Sequence, residues 1–451
     1  MVISYEFSLD GRLSLCFQRR KKNGYPPWSV MMRLESRFTS LFLLALFGAT
    51  QAHGADWLQW RGPKNDGNSS ASGVPTKWSA EENIAWKAKL PGMGGSTPIL
   101  VGDQIFLTSA AKERLVLLAL STKDGKENWR ADLGQGTPLA RSDEGNGAAS
   151  SPSSDGKQVF AMSGSGEFAA FSLEGKENWR FNLQDRYGKF KIQFGTSTTP
   201  VLDGDRIYLQ LLDDQGQRVI ALDSATGKEV WKAKRPSDGT DENLHSYASA
   251  FVWSKGSDKL LITHGNDYTV AHNLVDGSEA WRVEGLNPRD KYNRYLRFVA
   301  SPVATSEIVV IPTAKKGQVV GVKPVLKDGK PAFLELWRMA KNTPDVSCPL
   351  VYSNLVYLCG EQGSITVLES ASGKELYSQR IHAARYRASP VRAEDNIYLT
   401  GRDGVVTVVK TGREYVKVAE NKLPDQIAAS PVVTDGRLYL RGYDYLWAIG
   451  K

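Results

Sequence analysis

Eight times along the chain, a Ser, Thr or Cys stands before a proline or its equivalent and opens a short strand, a tight turn and a second strand. The proline position falls at 98, 152, 200, 250, 302, 349, 390 and 431, so copies are spaced 41 to 54 residues apart. Thr199-Pro200 leads into V-L-D-G-D-R-I-Y-L, Ser430-Pro431 into V-V-T-D-G-R-L-Y-L, and Ser249-Ala250 opens a degenerate copy. A second motif lies between them: 119–129 and 221–231 each read strand, turn, strand, ending in tryptophan. Trp86, Trp129, Trp179, Trp231, Trp281, Trp337, Tyr377 and Tyr415 read as aromatic plugs packed between successive units. Four short strands per unit with Gly-rich turns is the pattern of a propeller blade, and a fixed period of this length decides the fold before anything else does.

The expected class is all-β: an eight-bladed β-propeller of four-stranded blades over 83–451. The last unit lacks its tryptophan strand, and a spare one lies at 83–87, N-I-A-W-K. Pairing the two closes the ring and hides its edges. An open array or two stacked sandwiches is the alternative.

Composition agrees with a packed chain: 41% hydrophobic and 24% charged, with 42 glycines and 12 tryptophans. The net charge of +8 sits partly in 1–52, and the remainder holds 50 basic and 46 acidic residues, which removes the main support for nucleic-acid binding. Residues 41–49, L-F-L-L-A-L-F-G-A, follow Arg33 and Arg37 and precede small residues at the −3 and −1 positions of a cut after Ala52. This is a secretory signal pattern, too short to span a bilayer comfortably. The expectation is export to the periplasm or medium, with 31–52 as signal peptide and 53–82 as a lead-in segment. Residues 1–30 precede Met31-Met32 and read as a mis-called extension. No stable membrane span after cleavage and a monomer are expected.

The five histidines are scattered, and His-Glu-x-x-His, Cys-x-x-Cys, Gly-x-x-x-x-Gly-Lys-Ser/Thr and Gly-x-Ser-x-Gly are all absent. A local zinc motif, ATP hydrolysis and α/β-hydrolase chemistry therefore have no foothold.

Ala221, Asp223, Gly227 and Trp231 match Ala-x-Asp-x-x-x-Gly-x-x-x-Trp in full, and other units match in part. On these residues the chain resembles the PQQ-like β-propeller repeat family, also called quinoprotein alcohol dehydrogenase-like. The lead-in Asp56-Trp57-Leu58-Gln59-Trp60-Arg61-Gly62-Pro63 looks like the opening of BamB-like exported propellers of bacteria. The resemblance covers about 57–451 and implies fold more strongly than function. PQQ-dependent dehydrogenases of the family carry an adjacent cysteine pair, calcium ligands and a catalytic aspartate. Here Cys348 and Cys359 are separated, and no Glu/Asn/Asp set is assignable to calcium.

Ligand chemistry on a propeller gathers in loops around the axis. The loops 137–149, 184–195, 235–247, 284–298 and 340–347 are long. Candidate ligand-face residues are Arg141, Arg186, His245, Arg294, Arg297, Asp345, Arg385 and Arg387, accompanied by aromatics such as Tyr292 and Tyr386. Their convergence would make a mildly basic face suited to an acidic sugar, a quinone carboxylate or an acidic peptide. The hydroxyls before each proline read as turn-binding groups. Counting outward from a turn at Ser353-Asn354 sets Cys348 opposite Cys359, so a cross-strand disulfide is weighed against two buried thiols.

The expected function is an exported, non-catalytic binding or scaffold protein of the cell envelope, with a protein partner or a small acidic or saccharide ligand. No cofactor, metal or nucleic acid is expected. The alternatives are an oxidoreductase using PQQ and Ca²⁺, and a polysaccharide-binding or -cleaving propeller.

Overall fold

The computed structural model describes residues 2–7, 13–18, 29–32, 56–136, 146–314, 316–341 and 343–450. The apolar run 41–49 expected to be a signal core, and Ala52, lie outside them. Two units divide the chain at Gln51. In the first, Val2–Phe7, Leu13–Gln18 and Ser29–Met32 pair as a three-stranded antiparallel sheet. The alternation in V-I-S-Y-E-F and L-S-L-C-F-Q is the pattern behind it.

The second unit is an eight-bladed β-propeller. Blade 1 is the meander Ile99–Val101, Gln104–Ala111, Arg114–Ser121 and Glu127–Gln135. Blades 2 to 7 repeat it, opening at Ser153–Ser154, Val201–Asp203, Phe251–Lys255, Val303–Ala304, Leu350–Tyr352 and Val391–Ala393, and in blade 7 Asn68–Ser69 of the lead-in adds a parallel fifth strand beside Val391–Ala393. Blade 8 supplies Val432–Thr434, Arg437–Arg441 and Tyr445–Gly450, and its outer strand is Ile84–Lys89 from the chain's front. The pairing Ala448↔Trp86 places that strand where every other blade has its own fourth strand.

The tryptophan motif is an inter-blade joint. The indole N–H of Trp86, Trp129, Trp179, Trp231 and Trp337 donates to the carbonyl of Thr122, Leu173, Ser224, Leu274 and Ser370, each in the next blade, at 2.7–3.0 Å. Beneath the indole lies the motif glycine. At Gly227 φ is +66°, and a Cβ there would come within 2.8 Å of the Trp179 ring. Gly125, Gly175, Gly277 and Gly373 are in the same position under Trp86, Trp129, Trp231 and Trp337. The glycine is thus required by both backbone and space.

Three plugs depart from the pattern; Tyr377 has a hydroxyl in place of the indole N–H, and its oxygen finds no partner. Blade 5 extends its outer hairpin (Val319–Lys327 and Lys330–Met339), and Trp281 packs on Phe333 at 5.3 Å with no acceptor for its N–H. Tyr415 does not occupy the plug position of blade 7. Register places Ala419 there, opposite Val408, and Tyr415 packs edge-on against Tyr377 from the preceding turn. Trp78 of the lead-in stacks on Tyr398 in the same hydrophobic cluster as Ala419 and supplies the missing bulk.

The cysteine register is right within the strands and fails beyond them. Leu350↔Tyr357, Val351↔Val356 and Tyr352↔Leu355 are paired across Ser353-Asn354, both in left-handed backbone. The ladder ends at Leu350, and Cys348-Pro349 turns out of it. Cys348 therefore packs with Val351 and Val356 on one face of the blade, and Cys359 with Leu350 and Tyr357 on the other. Both are free thiols, not a disulfide.

Two histidines are core groups. His264 stacks on Phe298 at 4.5 Å, and burial, then Arg235, lowers it to about 3. His272 bonds Thr263 and the Gly277 carbonyl, and burial lowers it to about 4. Both stay neutral in the fold and take a proton near pH 6.5 only when unfolded. Their contribution is complete above pH 6.5 and falls as pH drops toward 4, by about 2 kcal/mol each at pH 5. The melting temperature should fall clearly from pH 7 to pH 5. Equal melts at the two pH values would contradict this.

Candidate functional site on the ring axis

The residue before each proline position is the innermost point of its blade, and these eight residues bond to one another in a closed belt. Thr97 N–H donates to Ser151 Oγ (2.9 Å), Ser151 to Thr199 (3.2 Å), Thr199 to Ser249 (2.9 Å) and Ser249 to Ser301 (2.9 Å). Ser301 N–H donates to Cys348 Sγ (3.1 Å), Cys348 to Ser389 (3.0 Å), Ser389 to Ser430 (3.0 Å), and Ser430 back to Thr97 (3.2 Å). The hydroxyls expected to bind their own turns instead lace neighbouring blades together.

The belt surrounds a cavity of about 270 Å³. A second ring stands on it, made of the residue two positions before each belt member: Gly95, Ala149, Ser197, Tyr247, Val299, Val346, Arg387 and Ala428, all in the cavity wall. The lead-in crosses the inner strands beneath. Trp57 exchanges backbone bonds with Leu100, Leu58 accepts from Ser154, Gln59 from Leu202, and Arg61 donates to the Pro349 carbonyl at 2.9 Å. This path sets Trp60 against the cavity.

Of the ligand-face candidates, the structure brings two to the cavity. Arg297 lies 3.6 Å from Glu242 and 5.1 Å over the Phe194 ring. Arg387 pairs with both Asp345 and Glu361 at 3.4 Å, which is also where Asp345 stands. The others lie outside the wall. Arg186 stacks 3.4 Å over Phe181 and donates to the Gly227 carbonyl. His245 bonds Asp214 at 2.8 Å, Arg294 forks onto Asp241, and Arg385 faces Glu361 at 3.6 Å. Arg141 is outside the described residues. The expected basic face is thus largely neutralised by local carboxylates. Tyr292 illustrates the knitting: its hydroxyl donates to Asp267 and accepts from Thr240 N–H and Asn243, tying the 235–247 and 284–298 loops.

Reading by position counted Asp425 only as a loop acid and missed Arg441. Asp425 accepts three backbone N–H groups, from Tyr443, Asp444 and Tyr445, plus the Trp447 indole, and so fixes the loop that presents Tyr443 to the cavity. Arg441 is fully buried behind Gly94, another wall residue. The second ring was legible by counting back two residues from each belt position.

The charged side chains in the described wall are Arg297 and Arg387; it presents no Asp, Glu, His or Lys. Among the described residues no cluster of three His, Cys, Asp or Glu is arranged for a metal. A quinone with its calcium would meet Trp60, two arginines, hydroxyls, one thiol and the Asn146 amide, and among the described residues no carboxylate set to hold the calcium. The residues present do not fit that group. No helix among the described residues is long and apolar enough to cross a membrane.

A family model described as outer membrane protein assembly factor BamB matches residues 71–233, 169–408 and 361–449. The chain belongs to this family. BamB from Moraxella catarrhalis has the same fold, with a TM-score of 0.58 and 14% identity over 80% of this chain and 98% of that one. A europium-containing methanol dehydrogenase aligns at 0.63 and 13% identity, over 87% and 90%. Quinohemoprotein alcohol dehydrogenase from Comamonas testosteroni aligns at 0.61 and 14%, over 89% and 81%. Identities this low show the ring alone. No curated protein matches in sequence. The BamB family thus accounts for the ring.

Proposed function

We propose that this BamB-family chain is an exported, non-catalytic propeller that serves as a binding or scaffold protein of the cell envelope, with a protein partner. The carrying observation is the axial wall: a proton-transfer reaction needs a base and an acid near the reacting atoms, and among the described residues the wall's charged groups are two arginines already held by carboxylates. The secretory pattern ending at Ala52 and the BamB description of the family support the cellular setting. Purified protein incubated with PQQ and Ca²⁺ should reduce no dye when given alcohols or sugars. Turnover above the protein-free rate would overturn this reading.

A further inference from the structure

We propose that the hydroxyl belt is a binding site for a compact oxyanion group, such as phosphate, sulfate or a carboxylate, seated on the ring axis. This rests on reading the cavity as a binding site and names what it takes. The first observation is hydrogen-bond accounting. A Ser or Thr hydroxyl has one donor hydrogen and two acceptor lone pairs. In the belt each of the seven oxygens spends one lone pair on a neighbouring blade's N–H. None of the seven hydroxyls donates to a protein acceptor in the same set of bonds. Seven O–H groups, each more than nine-tenths buried, therefore stand around one cavity with their hydrogens unspent. Accepting an N–H polarises a hydroxyl and strengthens its own donation.

The second observation is independent: two buried guanidinium groups abut the belt, each with two nitrogens that find no hydrogen-bond partner. Arg441, 1% exposed, donates through Nη1 to the Ser96 carbonyl and Oγ, next to Thr97. Its Nε and Nη2 have no partner, and Nη2 lies against Gly94 in the cavity wall. The nearby Asp425 carboxylate acts on Arg441 through its charge, while its hydrogen bonds go to three backbone N–H groups and an indole. Arg61, also 1% exposed, donates to the Asp66 and Pro349 carbonyls, lies against Cys348, and leaves Nε and Nη1 unpartnered. Buried donors left without an acceptor are costly, and an anion on the axis offsets that cost for both. Hydroxyl donors beside guanidinium groups with unpartnered N–H atoms select an oxyanion over a neutral sugar. The cavity's volume, just below the usual range of ~300–1,000 Å³ for ligand pockets, selects a small group.

Cys348 supplies the variant for the test. It already occupies one belt position, accepting the Ser301 N–H while being a weak donor. Ser249→Cys/Ser301→Cys should keep the belt and the fold and remove two donors. The purified full chain is titrated by calorimetry with inorganic phosphate and with sulfate, and melted with each at matched ionic strength, with glucose as the neutral control. The expected result is saturable binding and a raised melting temperature with an oxyanion and none with glucose. The double cysteine variant, and Arg441→Met as a second line, should each weaken binding about tenfold or more, the loss of a hydrogen bond to a charged group. No saturable binding of either anion, an unchanged affinity in the cysteine variant, or stabilisation by glucose instead would overturn the assignment. If anion binding and PQQ-dependent dye reduction are both absent, the oxyanion site falls and the non-catalytic reading stands, so the two fail separately.

Discussion

A chain that begins at residue 91 should not fold cooperatively, whereas one that begins at residue 56 should melt like the full protein. The missing segment holds the outer strand of blade 8, Ile84–Lys89, and its joint Trp86, whose indole donates to Thr122 of blade 1. It also holds Trp57, 1% exposed, and Trp78, which fills the gap beside Ala419. Without it, Tyr445–Gly450 becomes an unpaired edge and the joint between the first and last blades is lost. Each blade buries its faces on its neighbours, so an open ring exposes apolar surface at both ends of the array. Thermal denaturation followed by circular dichroism decides it. A parent-like transition in the shorter chain would show that the ring does not need this strand.

The second large effect is at the inter-blade joint. Trp231→Ala should cost about 3–5 kcal/mol, the usual loss for a buried tryptophan, because the indole packs on Tyr208 and Gly277 and donates to Leu274. Gly227→Ala should be destabilising by at least ~1–2 kcal/mol from the left-handed backbone alone, and more because its Cβ would press on Trp179. Denaturant unfolding measures both. A loss below about 1 kcal/mol in the tryptophan variant would mean the joints are not what holds the blades together.

The ring was legible because its two motifs mark positions that geometry repeats: the innermost residue of each blade and the joint at its outer strand. Closure was legible because one joint residue, Trp86, stood without a blade of its own. The site was less so. Arg294 is neutralised by Asp241 and Arg297 faces Glu242, and these partners lie one whole blade earlier in sequence, so a loop's composition does not report its charge in the fold. Tyr415 misled because the blade 7 turn departs from the glycine spacing, and only strand register shows that Ala419 holds the position. Cys348 misled because a register counted from a turn has no information on where the ladder ends. The inner belt needed no prediction of loops at all, since its members are the residues that define the period.

The most direct test of a binding ring, as against a quinoprotein, is a calorimetric titration of the purified chain with PQQ in the presence of Ca²⁺. A wall without a carboxylate set predicts no saturable, calcium-dependent heat in the micromolar range. One-to-one binding at micromolar affinity or tighter, lost on chelation of calcium, would contradict the account.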